Sequence, residues 1–266
     1  MLPKRYWHEM TTVDFQNPDI GNWIAVLPVA AIEQHGPHLP VYTDTAIANG
    51  QVSRVIDLLP DDLPVTFLPT QAIGKSNEHI SSPGTLTLSW DTVTQAWLDI
   101  GRSVARAGVR KLVLINAHGG NVPIIDIVAR ELRVDHDMLV TATAWARFGQ
   151  PEGVFPAEEF TYGIHGGDVE TSLMLHLHPD LVRMDLAEDF TSAQQDFLQE
   201  FKHLRGHGPA QFGWKAQDLN DKGVVGNAAN ATAEKGRLSL DHAARGFVEL
   251  LKDVHAFELA RLWKAP

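Results

Sequence analysis

Lys111–Asn116 (KLVLIN), running directly into Ala117-His118-Gly119-Gly120-Asn121, is the stretch that decides the fold. The six mostly apolar residues read as a buried strand. The run stops at a polar loop with two glycines, and Val122–Leu132 then takes up helical spacing. A strand with no polar face, followed by a short loop and a helix, belongs to a parallel sheet covered on both sides.

The same alternation extends outward in both directions. Trp23–Ala31 (WIAVLPVAA) is a second apolar run and reads as a strand. Thr43–Leu59 follows with Ile47, Val52, Val55 and Leu59 at helical spacing, and Pro64–Thr70 is another strand candidate. Asp91–Ala107 is the clearest helix, with Val93, Trp97, Ile100 and Val104 on one stripe and Gly108 as its stop signal. Met138–Trp145 reads as the fourth strand and Asp168–Leu177 as a further helix, with Asp168 as its cap. Ser192–Gly226 is polar and irregular and reads as an excursion of the same domain. The expectation is an α/β fold with a mostly parallel sheet, built as one domain over residues 1–266.

Composition narrows the chemistry. The 266 residues are 44% hydrophobic and 21% charged, which excludes a mainly disordered chain. Lys and Arg number 22 against 33 Asp and Glu, a net charge of −11 with no basic run, so neither nucleic acid nor an anionic membrane is an expected partner. There is no cysteine, which excludes thiol catalysis, disulfides and cysteine-ligated zinc. Any metal must be held by imidazole and carboxylate, and the chain has 13 His. With no signal-like segment and no long apolar run, the expected location is cytoplasmic.

In open α/β sheets ligands collect beyond the carboxyl ends of the strands. Every strand end here opens onto groups that ligate metals or move protons. They are Glu33-Gln34-His35-Gly36-Pro37-His38 with Thr43-Asp44, then Lys75-Ser76-Asn77-Glu78-His79, then His118, then Trp145 and His165-Gly166-Gly167-Asp168-Val169-Glu170. Taken singly, each His or Glu reads as solvated surface or hydrogen-bonded core; four such loops on one edge do not. Glu33 and His35 are two apart, so an extended backbone puts both on one side. The two glycines after His118 permit a tight turn. Imidazole and carboxylate without sulfur suit Zn, Mn or Fe(II), and two such ions commonly activate one bridging water. His176, His178, His203 and His207 read as structural. Trp97 reads as core, and Trp145 as core or pocket.

Glu33-Gln-His-Gly-Pro-His-Leu-Pro, Thr43-Asp44, Asn116-Ala-His-Gly-Gly-Asn and His165-Gly-Gly-Asp-Val-Glu-Thr-Ser together resemble the creatininase (creatinine amidohydrolase) family. Ser76-Asn-Glu-His-Ile-Ser-Ser-Pro-Gly-Thr resembles the family's second-strand loop. The resemblance implies a three-layer α/β/α sandwich and a hydrolase with two divalent metals per chain, often assembled as a homohexamer. Carried onto this chain, it places one metal on Glu33, Asp44 and His118. The second falls on His35, the bridging Asp44 and one more carboxylate. In creatininase itself that carboxylate lies two residues beyond the third-strand histidine, where this chain has Gly120. Members with the same His-Gly-Gly pattern imply Glu170 instead. His165 matches the acid/base histidine, and Glu78, His79 and Trp145 are candidates for lining the substrate site.

Gly120 departs from the creatinine-cleaving pattern while keeping the two-metal site. The expected activity is hydrolysis of a non-peptide C–N bond, a cyclic amide or a formamide, in a small-molecule substrate. A bridging water would attack the carbonyl carbon, and His165 would pass a proton to the leaving nitrogen. The alternatives are a creatininase-like peptidase that matures a cofactor precursor, and a non-catalytic, metal-stabilised binding protein on the same scaffold.

Overall fold

Every residue of the first and third strands is buried, and the pleat sends their side chains alternately to two covered faces. The computed structural model describes residues 2–263. Along the chain the elements are β1 (Ile24–Val29), α1 (Thr43–Leu58), β2 (Val65–Phe67), α2 (Trp90–Arg106), β3 (Lys111–Asn116), α3 (Val122–His136) and β4 (Leu139–Ala144). There follow α4 (Ala157–Tyr162), α5 (Asp168–Leu177), β5 (Asp189–Phe190), α6 (Gln194–Glu200), β6 (Gly226–Asn227) and α7 (Ala233–Ala256), with short 3-10 turns between.

The pleat explains the two cores. Ala25, Leu27 and Val29 of β1 and Leu112 and Leu114 of β3 face Val93 and Trp97 of α2 and Ile124, Ile125 and Val128 of α3. Their alternating neighbours Ile24, Val26, Val113 and Ile115 face Val52 and Val55 of α1 and Phe247, Val248 and Leu251 of α7. The result is a three-layer α/β/α sandwich, as the sequence predicts. Lys111 is the exception in β3. Its ammonium is drawn to the end of α7, where it donates to the carbonyls of Val254 (2.8 Å) and His255 (2.6 Å), so a buried cation caps a helix C-terminus.

The four main strands are parallel in the order β2-β1-β3-β4. Val29 pairs with Asn116 and Asn116 with Ala144, so three strands end at one level. From β1 the chain moves outward to β2, then crosses back to β3 and on to β4. The direction reverses between β1 and β3, where the loops after the two strands diverge and leave a crevice.

Three segments differ from the sequence expectations. The second strand shrinks to Val65–Phe67. The longest helix, α7, was outside the expected elements, although Leu240, Phe247, Leu251 and Val254 have helical spacing. The polar stretch Ser192–Gly226, expected only as an irregular excursion of the same domain, returns at its end to the C-terminal edge of the sheet. There the Val225 amide donates to the His165 carbonyl (2.9 Å), and Val224 packs on Gly36 and Gly166. Both glycines have φ of +69°, which a side chain would resist. Among the described residues no helix is long and apolar enough to cross a membrane.

The helix that bears Glu170, α5, lies directly on α7. At Gly236 the two backbones meet so closely that a Cβ would collide with the Ser172 carbonyl oxygen. Helix propensity favours Ala over Gly by about 1 kcal/mol, but backbone cannot move aside as a side chain does. Gly236→Ala is therefore expected to lower stability by about 2 kcal/mol, at the upper part of the overpacking range. Urea denaturation measures this; a gain in stability would contradict the packing described.

Candidate metal centre

The crevice between β1 and β3 collects side chains from four loops. Glu33 and His35 stand on the extended chain leaving β1, and Asp44 is the second residue of α1. His118 follows β3, and its amide donates to Asn116 Oδ1 (3.0 Å). Asn121 ties the loops together: its Nδ2 donates to the Ala30 carbonyl (3.0 Å) and its Oδ1 accepts from the Lys75 amide (2.9 Å). His165 precedes α5, and Glu170 lies in its first turn, where Oε2 accepts from the Gly166 amide (2.6 Å).

These residues meet. Glu33 Oε1 lies 3.1 Å from His118 Nδ1 and 3.7 Å from His165 Nδ1. The two oxygens of Asp44 face different histidines, Oδ1 at 3.3 Å from His35 Nε2 and Oδ2 at 3.3 Å from His118 Nδ1. Glu170 Oε2 is 3.7 Å from His35 Nε2. Glu33, His35 and Asp44 have ligand atoms within 4.8 Å of one another, and so do His35, His165 and Glu170.

Hydrogen bonds fix which ring nitrogen is free. His35 Nδ1 donates to the Glu33 carbonyl (3.1 Å), so Nε2 turns its lone pair to the centre. His118 Nε2 donates to the Lys75 carbonyl (2.9 Å), with Glu78 Oε1 at 3.3 Å, which leaves Nδ1. Such outer partners are what orient metal-ligating imidazoles. Both Glu33 oxygens, His35 Nε2 and Asp44 Oδ2 are buried without any hydrogen-bond partner among the described residues. Unpaired carboxylate oxygens in a dry site are costly. A cation at the point where they converge removes that cost, so the donor set fits divalent metal.

The electrostatics agree. Burial lifts the Glu33 carboxyl above its usual range, more than His118 draws it back. Burial would likewise raise Asp44, but His35 and His118 hold it well below the carboxylate range. Burial alone would depress His35, yet the Asp44 carboxylate, helped by Glu170 and Glu33, raises it to about 10. His118 behaves alike, raised by Glu33 and Asp44 against its burial. His165 is the opposite case, lowered to about 4 by burial and by His35. Without a cation, protons on His35 and His118 do the neutralising.

Gln34, which the motif reading passed over, is the hub of the surrounding shell. Its amide nitrogen donates to the Gly223 carbonyl (2.6 Å) and to His79 Nδ1 (2.8 Å). Its backbone carbonyl accepts from His165 Nε2 (2.8 Å), which leaves His165 Nδ1 facing Glu33. His79 stacks on His165 at 4.3 Å between ring centroids, and Trp214 from the 192–226 stretch meets its edge. No local signal in the sequence marked Trp214 or the Gly223 carbonyl, because both arrive from far along the chain. Glu78 lies behind His118. A Cβ at Gly120 would strike Glu78 Oε1 and the Lys75 carbonyl, so that position has no room for a carboxylate side chain.

Asp168 does not cap α5. Gly167 stands at the cap position, and the Asp168 carboxylate pairs with Lys235 Nζ (2.6 Å) and Ser172 Oγ (3.0 Å). His38 is structural, with Nε2 at the Gly166 carbonyl (3.0 Å) and Thr171 Oγ1 (2.9 Å). Trp145 stands away from the cluster. It packs on Phe247 and lines a cavity of about 520 Å³ whose wall includes His118 and Glu170.

The sequence matches the family model for creatininase (creatinine amidohydrolase) over residues 8–251. It is 32% identical over 248 residues to a creatinine amidohydrolase of Pseudomonas putida, covering 88% of this chain and 90% of that one. It is 29% identical over 233 residues to a mycofactocin precursor peptide peptidase of Mycolicibacterium smegmatis, covering 86% and 84%. Its fold superposes on a solved creatininase of the Zn–Zn type with a TM-score of 0.75 at 28% identity, covering 94% of this chain and 98% of the other. A manganese creatininase gives 0.74, with the same identity and coverage. With its sheet, its crevice and its histidine–carboxylate cluster, the chain belongs to the creatininase family.

Proposed function

We propose that this chain is a metal-dependent amidohydrolase that splits a carbonyl C–N bond, with two divalent cations held by Glu33, His35, Asp44, His118 and Glu170. The observation that carries the reading is the convergence of buried, unpartnered lone pairs on Glu33, His35 and Asp44. Asp44 supports the pairing of the ligands, because its two oxygens face His35 and His118 separately. Glu33 and His118 then complete one half and His35 and Glu170 the other. Cations bound there polarise a carbonyl and bring the pKa of water to about 7. Zinc and manganese are favoured by the solved relatives, and Fe(II) accepts the same ligands.

The chain's own groups supply the proton transfers. His165 is uncharged at pH 7, with Nε2–H tethered to the Gln34 carbonyl and the Nδ1 lone pair facing the cluster. It is set to accept a proton as the nucleophile forms and to return it to the departing nitrogen. The Val225 amide holds the His165 carbonyl (2.9 Å), and His165 itself is largely buried. Cyclic amides and formamides are the first substrates to test. Cleavage of a peptide C–N bond is the second reading, favoured by the peptidase relative. A homohexamer is the assembly proposed from the family, and sizing in solution tests it.

Asp44→Ala is expected to lose both metals and nearly all turnover. His165→Ala is expected to keep its metal while turnover falls by about 10²–10⁴-fold. Elemental analysis beside an amide assay reads both, and full metal content in Asp44→Ala would overturn the bridging role.

Proton release gives an independent check. His35 has its pKa raised from 6.5 to about 10, and His118 is raised too, so both carry protons at pH 7.5 in the metal-free chain. Ligation displaces them, so zinc loading should release roughly two protons per chain and weaken as pH falls. Calorimetry in buffers of different ionisation enthalpy measures this; no release contradicts it. In the chelated protein the His35–Asp44 pair adds stability that is full between the ordinary Asp and His values of 3.8 and 6.5, is lost as pH rises through about 10, and is lost again in acid as Asp44 takes up a proton.

A further inference from the structure

The cavity of about 520 Å³ beside the cluster is built from α1, the loop after β3 with the start of α3, the turn after β4, α4, α5 and α7. Most of its wall is apolar, including Ile47, Val122, Phe160, Ile164, Leu173 and Ala243. Three polar atoms on residues of this wall have no hydrogen-bond partner among the described residues: Gln51 Oε1, Gln150 Oε1 and Trp145 Nε1. Gln51 is 1% exposed and Trp145 5%, so the protein surface does not supply their missing partners. Buried polar groups are ordinarily paired. Unpaired ones in a ligand-sized cavity mark where a ligand's polar edge fits.

Apart from His118 and Glu170, which belong to the metal cluster, charge is scarce there. Arg147 stands at the exposed rim. The buried carboxylate of Glu159 is already engaged by the amides of Val169 (3.3 Å) and Asn227 (3.4 Å) and wrapped by Gly163, Gly167 and Gly226. Away from His118 and Glu170, an ionic group entering the cavity would meet apolar wall, the carboxamides of Gln51 and Gln150, and an indole N–H. A carboxamide turns to offer either donor or acceptor, which suits a partner that has both. The volume lies within the roughly 300–1,000 Å³ of sites that enclose drug-sized ligands, which is more than one small ring requires.

We infer that this cavity is a substrate subsite for an uncharged, mainly apolar group with an amide edge, as a hydrophobic residue of a peptide has, held next to the bond that is cut. The inference rests on the amidohydrolase reading for the bond, and on Gln51, Gln150 and Trp145 for the group recognised. Neither glutamine belongs to the metal cluster.

The test titrates zinc-loaded wild type, Gln51→Leu and Gln150→Leu with N-acetyl-leucine amide, N-acetyl-lysine amide and N-acetyl-glutamate amide, by calorimetry, and assays the same compounds for hydrolysis. The leucine amide is expected to bind at least tenfold more tightly than either charged amide. Each variant should weaken it about tenfold with zinc content unchanged. Gln150 lies in a loop and is half-buried, so Gln150→Leu keeps the test valid if Gln51→Leu fails to fold. Equal or tighter binding of a charged amide, leucine-amide binding unmoved in the folded variants, or no binding of any of the three overturns the subsite. Binding that depends on the glutamines without turnover overturns the hydrolase reading alone. Turnover with glutamine-independent binding overturns the subsite alone.

Discussion

The rest of the structure depends on the unpaired carboxylate oxygens at the mouth of the β1–β3 crevice. Glu33 and Asp44 are almost wholly buried, and among the described residues three of their four oxygens have no hydrogen-bond partner other than an imidazole that must first be protonated. No apolar core tolerates that arrangement unaided, since stripping water from a carboxylate costs more than ordinary packing returns. Positive charge must come to the crevice, as protons on His35 and His118 or as bound cations. The proposed function rests on the second option.

The fold supplies the setting in layers. Two fully buried strands bring Glu33 and His118 to one level, and the reversal of strand direction between them keeps the space open. Asn121 then locks three of the strand-end loops. A second shell fixes each imidazole: the Glu33 carbonyl for His35, the Lys75 carbonyl for His118 and the Gln34 carbonyl for His165. All three are backbone carbonyls, so the orientation of the rings is tied to the path of the chain. The Gly223 carbonyl, which accepts from the Gln34 carboxamide, and contacts of Val224 and Val225 close the assembly, so a stretch that is polar and irregular in sequence becomes part of the wall.

The sequence makes β3 and α5 legible residue for residue, because a buried strand ending in His-Gly-Gly and a helix opened by His-Gly-Gly-Asp are strong local signals. The histidines and carboxylates that the motifs single out do come together in space. Three things were not legible. The helix α7 carries its apolar stripe diluted with alanine, so its spacing is quieter than that of α2. Asp168 falls one residue inside the helix, with Gly167 at the cap, and its carboxylate pairs with Lys235, sixty-seven residues on. Gln34 lies inside the Glu-Gln-His motif yet acts through the carbonyl of Gly223 and the ring of His79, contacts that only the tertiary fold creates.

Gly120 and Glu170 state the central claim most sharply. The position two residues beyond His118 has no room for a carboxylate, and the Glu170 carboxylate faces the free nitrogen of His35 from the first turn of α5. The direct measurement is metal content per chain, by elemental analysis of protein purified without chelator, for wild type and Glu170→Ala. The account predicts near two metals in wild type and near one in the variant. Two in both would move the second carboxylate ligand elsewhere, and none in wild type after zinc or manganese is supplied would contradict the metal centre itself.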